Sequence, residues 1–163
     1  MISRRSMLAA TTSLIGLFQF GRKDSALGSE TKKFEIEKSD EEWRKFLTPA
    51  QYRVLRQHGT EMAGSSPLDE EKRKGTFICA GCDLPLFPSG TKFDSGTGWP
   101  SFYAPLTNAV GTSEDKSLFM VRTEVHCRRC GGHLGHVFND GPPPTGLRYC
   151  INGVALSFIE AIS

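Results

Sequence analysis

Two kinds of hydrophobic spacing divide this chain at about Gly75. Ahead of it, Ser39-Asp40-Glu41-Glu42-Trp43-Arg44-Lys45-Phe46-Leu47 begins with a capping residue followed by acids, the pattern that opens a helix. Thr48-Pro49-Ala50-Gln51-Tyr52-Arg53-Val54-Leu55-Arg56 repeats it, with Thr48 as cap, Pro49 at the first helical position and an apolar stripe of Tyr52, Val54 and Leu55. Beyond Gly75 the apolar residues come in short runs: Phe77-Ile78, Leu118 to Val121, Val125, His136 to Phe138, Leu147 to Tyr149 and Val154 to Phe158. Gly, Pro, Asn and Asp separate them, which predicts strands joined by turns. The chain therefore reads as mostly β, a β-rich α+β domain of twisted antiparallel sheets with two small helices in front.

The first 28 residues follow neither pattern. Ser3-Arg4-Arg5-Ser6-Met7-Leu8 leads into a mildly apolar run from Leu8 to Phe20, which resembles a bacterial twin-arginine export signal. That run of 13 residues includes Thr11, Thr12, Ser13 and Gln19. It is short of the roughly 20 apolar residues that span a bilayer, so stable membrane insertion is not expected. Ala26-Leu27-Gly28 supplies small residues for cleavage after Gly28, and export to a periplasm is the implied destination. Residues 29–38 read as a polar lead-in, and residues 39–163 as one domain.

Composition narrows the function. Seventeen glycines and nine prolines suit short strands and turns better than a bundle. The formal charge is +2, and residues 1–28 alone carry +3, so the body is near −1. A near-neutral body lacks the basic footprint of a nucleic-acid binder.

Cysteine spacing carries the chemistry. Cys79-Ala80-Gly81-Cys82 and Cys127-Arg128-Arg129-Cys130 are two C-x-x-C pairs separated by 44 residues. Two such turns, with Gly81 and Gly131 easing the reversals, predict one closed tetrahedral site of four thiolates holding a structural zinc. Two redox-active C-x-x-C motifs of a thiol-disulfide oxidoreductase are the alternative. His133-Leu134-Gly135-His136 is an H-x-x-H, but no carboxylates cluster beside it in the sequence, so these histidines are assigned to polar work rather than to a second metal. Cys150 is left over. On a strand, Arg148, Cys150 and Asn152 share a face, and a cation beside a thiol favours the reactive thiolate. A packed core thiol is the plainer reading, and a zinc-stapled binding module without catalysis the rival function.

Four blocks resemble the type B peptide-methionine sulfoxide reductases: Cys79 to Cys82 with Leu84 to Phe87; Lys92 to Phe102; Cys127 to Phe138; and Gly146 to Asn152. The likeness spans about residues 39–160. It implies two antiparallel sheets, a zinc remote from the active site, and reduction of the R epimer of methionine sulfoxide in proteins or peptides. It implies Cys150 as nucleophile, with Trp99, His133, His136 and Asn152 in the pocket and Arg148 beside them. Many members carry a second, resolving cysteine within Asp94 to Trp99, and this chain has Thr97 there. The expectation is a cycle in which an external thiol, a thioredoxin-like protein or a small molecule, reduces a Cys150 sulfenic acid. A monomer is expected.

Overall fold

The computed structural model describes residues 33–117 and 120–162. The expected export signal over residues 1–28 lies outside them, as do Leu118 and Phe119 of one predicted strand.

Both predicted helices form where their caps place them. Helix α1 (Asp40–Phe46) and helix α2 (Pro49–Gln57) each open on a reciprocal capping box, Ser39 with Glu42 and Thr48 with Gln51. Each helix turns its apolar side inward, burying Trp43 from the first and Tyr52, Val54 and Leu55 from the second. Helix α2 ends at His58, whose left-handed backbone (φ 52°) turns the chain away.

Among the described residues nine strands follow: β1 (Gly75–Cys79), β2 (Pro85–Pro88), β3 (Lys92–Phe93), β4 (Ser101–Phe102), β5 (Val110–Asp115), β6 (Arg122–Cys127), β7 (His133–Phe138), β8 (Arg148–Ile151) and β9 (Leu156–Glu160). They make two antiparallel sheets, one ordered β2-β1-β9 and the other β3-β4-β8-β7-β6-β5. Phe77 and Phe87 of the small sheet meet Phe102 of the large one, with ring centroids 4.9 and 4.4 Å apart. With Leu55, Leu134 and Ile151 these rings form the buried core.

Some boundaries differ from the sequence reading. Met120 and Val121 lie ahead of β6 rather than in a strand. Val154 and Ala155 belong to a 3-10 turn (Gly153–Ala155), closed by Ala155 N–H donating to the Asn152 carbonyl at 3.1 Å. The two-residue strands β3 and β4 fall outside the predicted runs, and so do two longer ones, β2 and β5. Strand β2 is bounded by prolines, which an edge strand tolerates. Strand β5 is polar on both faces because it too is an edge. Among the described residues no helix is long and apolar enough to cross a membrane.

Candidate active site and four-cysteine cluster

Strand β8 lies between β4 and β7, so Cys150 faces Ser101 on one side and His136 on the other. Strands β7 and β8 approach so closely at this point that a Cβ on Gly135 would lie 2.1 Å from the Cys150 carbonyl oxygen. Glycine before His136 is therefore a packing requirement.

Cys150 is half-buried and lines a cavity of about 140 Å3 with Trp99, His136, Phe138 and Asn152. His136 and Phe138 are two residues apart on β7, so both point to the cavity side. Trp99 donates its indole N–H to the Glu61 carbonyl at 3.2 Å. The Asn152 amide is held at both ends: its Nδ2 donates to the Leu134 carbonyl at 2.9 Å, and its Oδ1 accepts the Glu61 N–H at 2.9 Å.

The other expected pocket residues stand next door. Arg148 forms a two-pronged pair with Asp140, both contacts at 2.8 Å, and stacks over Phe138. Together with Thr97 it lines a neighbouring cavity of about 400 Å3. The Thr97 hydroxyl is 4.0 Å from the Cys150 sulfur and joins a hydroxyl chain through Ser95 to Ser101. Burial pushes the Cys150 thiol up, and this outweighs the downward pull of Thr97 and of the Arg148 charge. The cation expected to favour the thiolate is in place, but the net shift runs the other way.

His133 is not in the Cys150 cavity. It is buried in an adjoining polar basin of about 510 Å3, which His136, Thr60 and Arg122 share with the cavity. There the fold supplies the carboxylate that the linear sequence did not: Glu124 Oε1 lies 2.7 Å from His133 Nδ1 and 3.0 Å from His58 Nδ1. Hydrogen bonds from these two imidazoles hold the Glu124 carboxyl well below the usual range, and Glu124 raises His58. Asp115 accepts from His136 Nε2 at 2.7 Å and from Arg122 at 2.7 Å, and hydrogen bonds from Ser117 and His136 keep its carboxyl low. Burial lowers the His136 imidazole despite this partner. Asp115, Glu124 and Glu61 were missed from sequence because two lie on polar strands and the third in irregular chain, with no local motif around them.

The four remaining cysteines converge elsewhere. Cys79 and Cys82 lie at the β1–β2 turn and Cys127 and Cys130 at the β6–β7 turn, all four sulfurs within 4.8 Å of one another. Contacts cross between turns: Cys79 to Cys130 at 3.8 Å and Cys82 to Cys127 at 3.5 Å. A disulfide would need about 2.05 Å, whereas tetrahedral thiolates on zinc stand about 3.8 Å apart. The donor set and spacing suit one closed metal site. Among the described residues, every cysteine is free.

A family model described as the SelR domain matches residues 47–160. The chain belongs to the SelR-domain family. This is the type B methionine sulfoxide reductase family that the four sequence blocks resemble. SelR-domain relatives named peptide methionine sulfoxide reductase MsrB include one from Leptospira interrogans, 59% identical over 77% of this chain and 96% of its own length. One from Agrobacterium fabrum is 56% identical over 76% of this chain and 93% of its own. One from Methanosarcina barkeri is 60% identical over 76% and 87%. The SelR match takes in both C-x-x-C turns and Cys150 alike, so the cluster and the candidate pocket fall within one domain.

Proposed function

We propose that this chain reduces methionine sulfoxide in proteins or peptides to methionine, selecting the R epimer. The observation that carries the reading is the Cys150 cavity, where one thiol sits with an imidazole on one wall and Trp99 and Phe138 on others. A sulfoxide needs those groups: a nucleophile for its electropositive sulfur, a proton for its oxygen and an apolar wall for its methyl group. Methyl, oxygen and chain fit such walls in one handedness only.

In this reading the Cys150 thiolate attacks the sulfoxide sulfur. His136, whose Nε2–H is donated to Asp115, gives the proton on its other nitrogen to the oxygen. The protonated oxygen then passes to the Cys150 sulfur as the substrate's sulfur–oxygen bond and the transient sulfur–sulfur bond both break, so methionine leaves and Cys150 carries the oxygen as sulfenic acid. An external thiol then forms a mixed disulfide with Cys150 and releases water, and a second thiol restores the Cys150 thiol and leaves as a disulfide. Thr97 cannot take the place of the first thiol, since a hydroxyl forms no disulfide. His133 supports His136 from the basin behind it, the two rings being 5.4 Å apart. Cys79, Cys82, Cys127 and Cys130 would hold a zinc that supplies folding energy, with no position left open for substrate. Export by the twin-arginine route is proposed from residues 1–28, and fractionation of cells expressing the full chain against Arg4→Lys/Arg5→Lys tests it.

The decisive experiment is a chromatographic assay of R and S methionine sulfoxide with a strong dithiol, using wild type and Cys150→Ser. Consumption of R alone by wild type, and of neither by the variant, is expected. No consumption of R would overturn the reading in favour of a binding module. Intact mass after one equivalent of substrate should rise by one oxygen. Loss of two hydrogens instead would show a disulfide and exclude the one-cysteine cycle.

A further inference from the structure

We infer that Glu61 is a positioning residue that sets the spacing between the Trp99 and Asn152 walls of the Cys150 pocket. This rests on the reading of that cavity as the substrate pocket. Trp99 and Asn152 come from different elements, one from the loop before β4 and the other from the end of β8. Glu61 joins them with its own backbone: its carbonyl accepts the Trp99 indole N–H at 3.2 Å, and its N–H donates to Asn152 Oδ1 at 2.9 Å. Its carboxylate fixes the junction by accepting the N–H groups of Gly153 and Val154, the latter at 2.9 Å. All four bonds of one residue therefore converge on the two walls or on the turn that follows the nucleophile strand.

The chain around Glu61 is fitted to the same two loops. Gly64 N–H donates to the Gly98 carbonyl at 2.7 Å, and a Cβ on Gly98 would lie 2.8 Å from Gly64 N. On the other side, a Cβ on Gly153 would lie 2.0 Å from Ser66 Oγ. Thr60, just before Glu61, lines the cavity itself. Residues 60–66 thus form a strap beside the pocket, with Thr60 on the pocket wall and the Glu61 side chain as its clasp. Without the carboxylate the strap loses its two bonds to the β8 turn. The indole and the amide then lose the partner that relates them.

The test compares Glu61→Ala, Glu61→Asp and Glu61→Gln, each below its melting temperature, with an R methionine sulfoxide peptide. Asp keeps the charge but its shorter side chain should not span both N–H groups, while Gln keeps one acceptor. Ala and Asp should raise KM about tenfold, the scale of losing a wall contact, with a smaller change in kcat. Gln should stay within about threefold of wild type. The chain has two tryptophans, so the Trp99 indole N–H is readily resolved by 1H–15N NMR and assigned with Trp99→Phe. It should shift and exchange faster in Ala and Asp, and be restored in Gln. A lower melting temperature with unchanged KM and an unmoved indole resonance would reduce Glu61 to a purely structural role and overturn the inference. If Ala does not fold, Asp against Gln makes the same comparison. If wild type consumes no R epimer, the functional reading fails, while the indole and Asn152 amide resonances still judge the positioning.

Discussion

Two titrating groups in the Cys150 cavity are displaced in opposite directions. Burial raises the thiol from its ordinary 9.0 and lowers His136 from its ordinary 6.5. The proposed reaction needs thiolate and imidazolium together, and each is then the minor form over the interval between the two pKa values. Within that interval a rise in pH makes thiolate as fast as it removes imidazolium, so their joint population is flat. Below the His136 value thiolate falls with no compensating gain, and above the Cys150 value imidazolium does. Thus kcat/KM should show a plateau covering pH 6.5 to 9.0 with both limbs outside it. Arg148→Ala removes a charge that pulls the thiol down. It should move the alkaline limb to higher pH and lower the plateau in the same proportion. The check is the pH dependence of both kcat/KM and Cys150 alkylation, with Arg148→Lys recovering part of the loss. Thr97→Cys tests the neighbouring position. With the native hydroxyl 4.0 Å from the sulfur, a thiol there should trap the oxidised state as an internal disulfide, seen as loss of two hydrogens by mass.

At the scale of elements, the contact between β7 and β8 positions Cys150. Gly135→Ala would drive a methyl into the Cys150 carbonyl at 2.1 Å. It should cost about 3 kcal/mol or more by forcing the two strands apart, read as a lower urea midpoint together with slower turnover. The same strands show what was legible beforehand. Helices α1 and α2 were readable from their caps, because a capping box is local chemistry. Strand β8 was readable from the Leu147 to Tyr149 run, although it extends to Ile151. Strand β5 was not, since its Ser113, Glu114 and Asp115 carry no apolar face. Yet β5 brings Asp115 to His136, and β6 brings Glu124 to His133. Strand pairing across the sheet created those contacts, and no residue spacing encodes them. The family resemblance groups His133 and His136 in one pocket; their H-x-x-H spacing by itself does not. Simple alternation would set residues three apart on opposite faces of a strand, yet both line one basin with their rings 5.4 Å apart, and β7 pairs with β6 through a register shift.

At the scale of the whole molecule, the small sheet is joined to the large one by features that include two clusters. One is the aromatic cluster of Phe77, Phe87 and Phe102. The other is the cysteine cluster, because Cys79 and Cys82 belong to the small sheet's β1–β2 turn and Cys127 and Cys130 to the large sheet's β6–β7 turn. Four sulfurs this close cannot all be thiolates without a cation between them. Hydrogen bonds within the cluster drive Cys127 down, chiefly from Cys130, while Cys79 is driven up, chiefly by Cys127. A divalent metal would remove that conflict and would tie the sheets across 44 intervening residues. Without it the sheets would be held by the aromatic contact and the apolar core around it. Stripping with a strong chelator should therefore lower the melting temperature by more than about 10 °C, since structural zinc supplies several kcal/mol of folding energy and each is worth a few degrees. Cys150 lies on a central strand of the large sheet, so below the new melting temperature its alkylation rate should be little changed. Calorimetry and alkylation on the same stripped sample separate the outcomes. An unshifted melting point would remove the structural role from the cluster. Lost turnover at an unchanged melting point, with Cys150 still alkylated normally, would make the metal part of the chemistry.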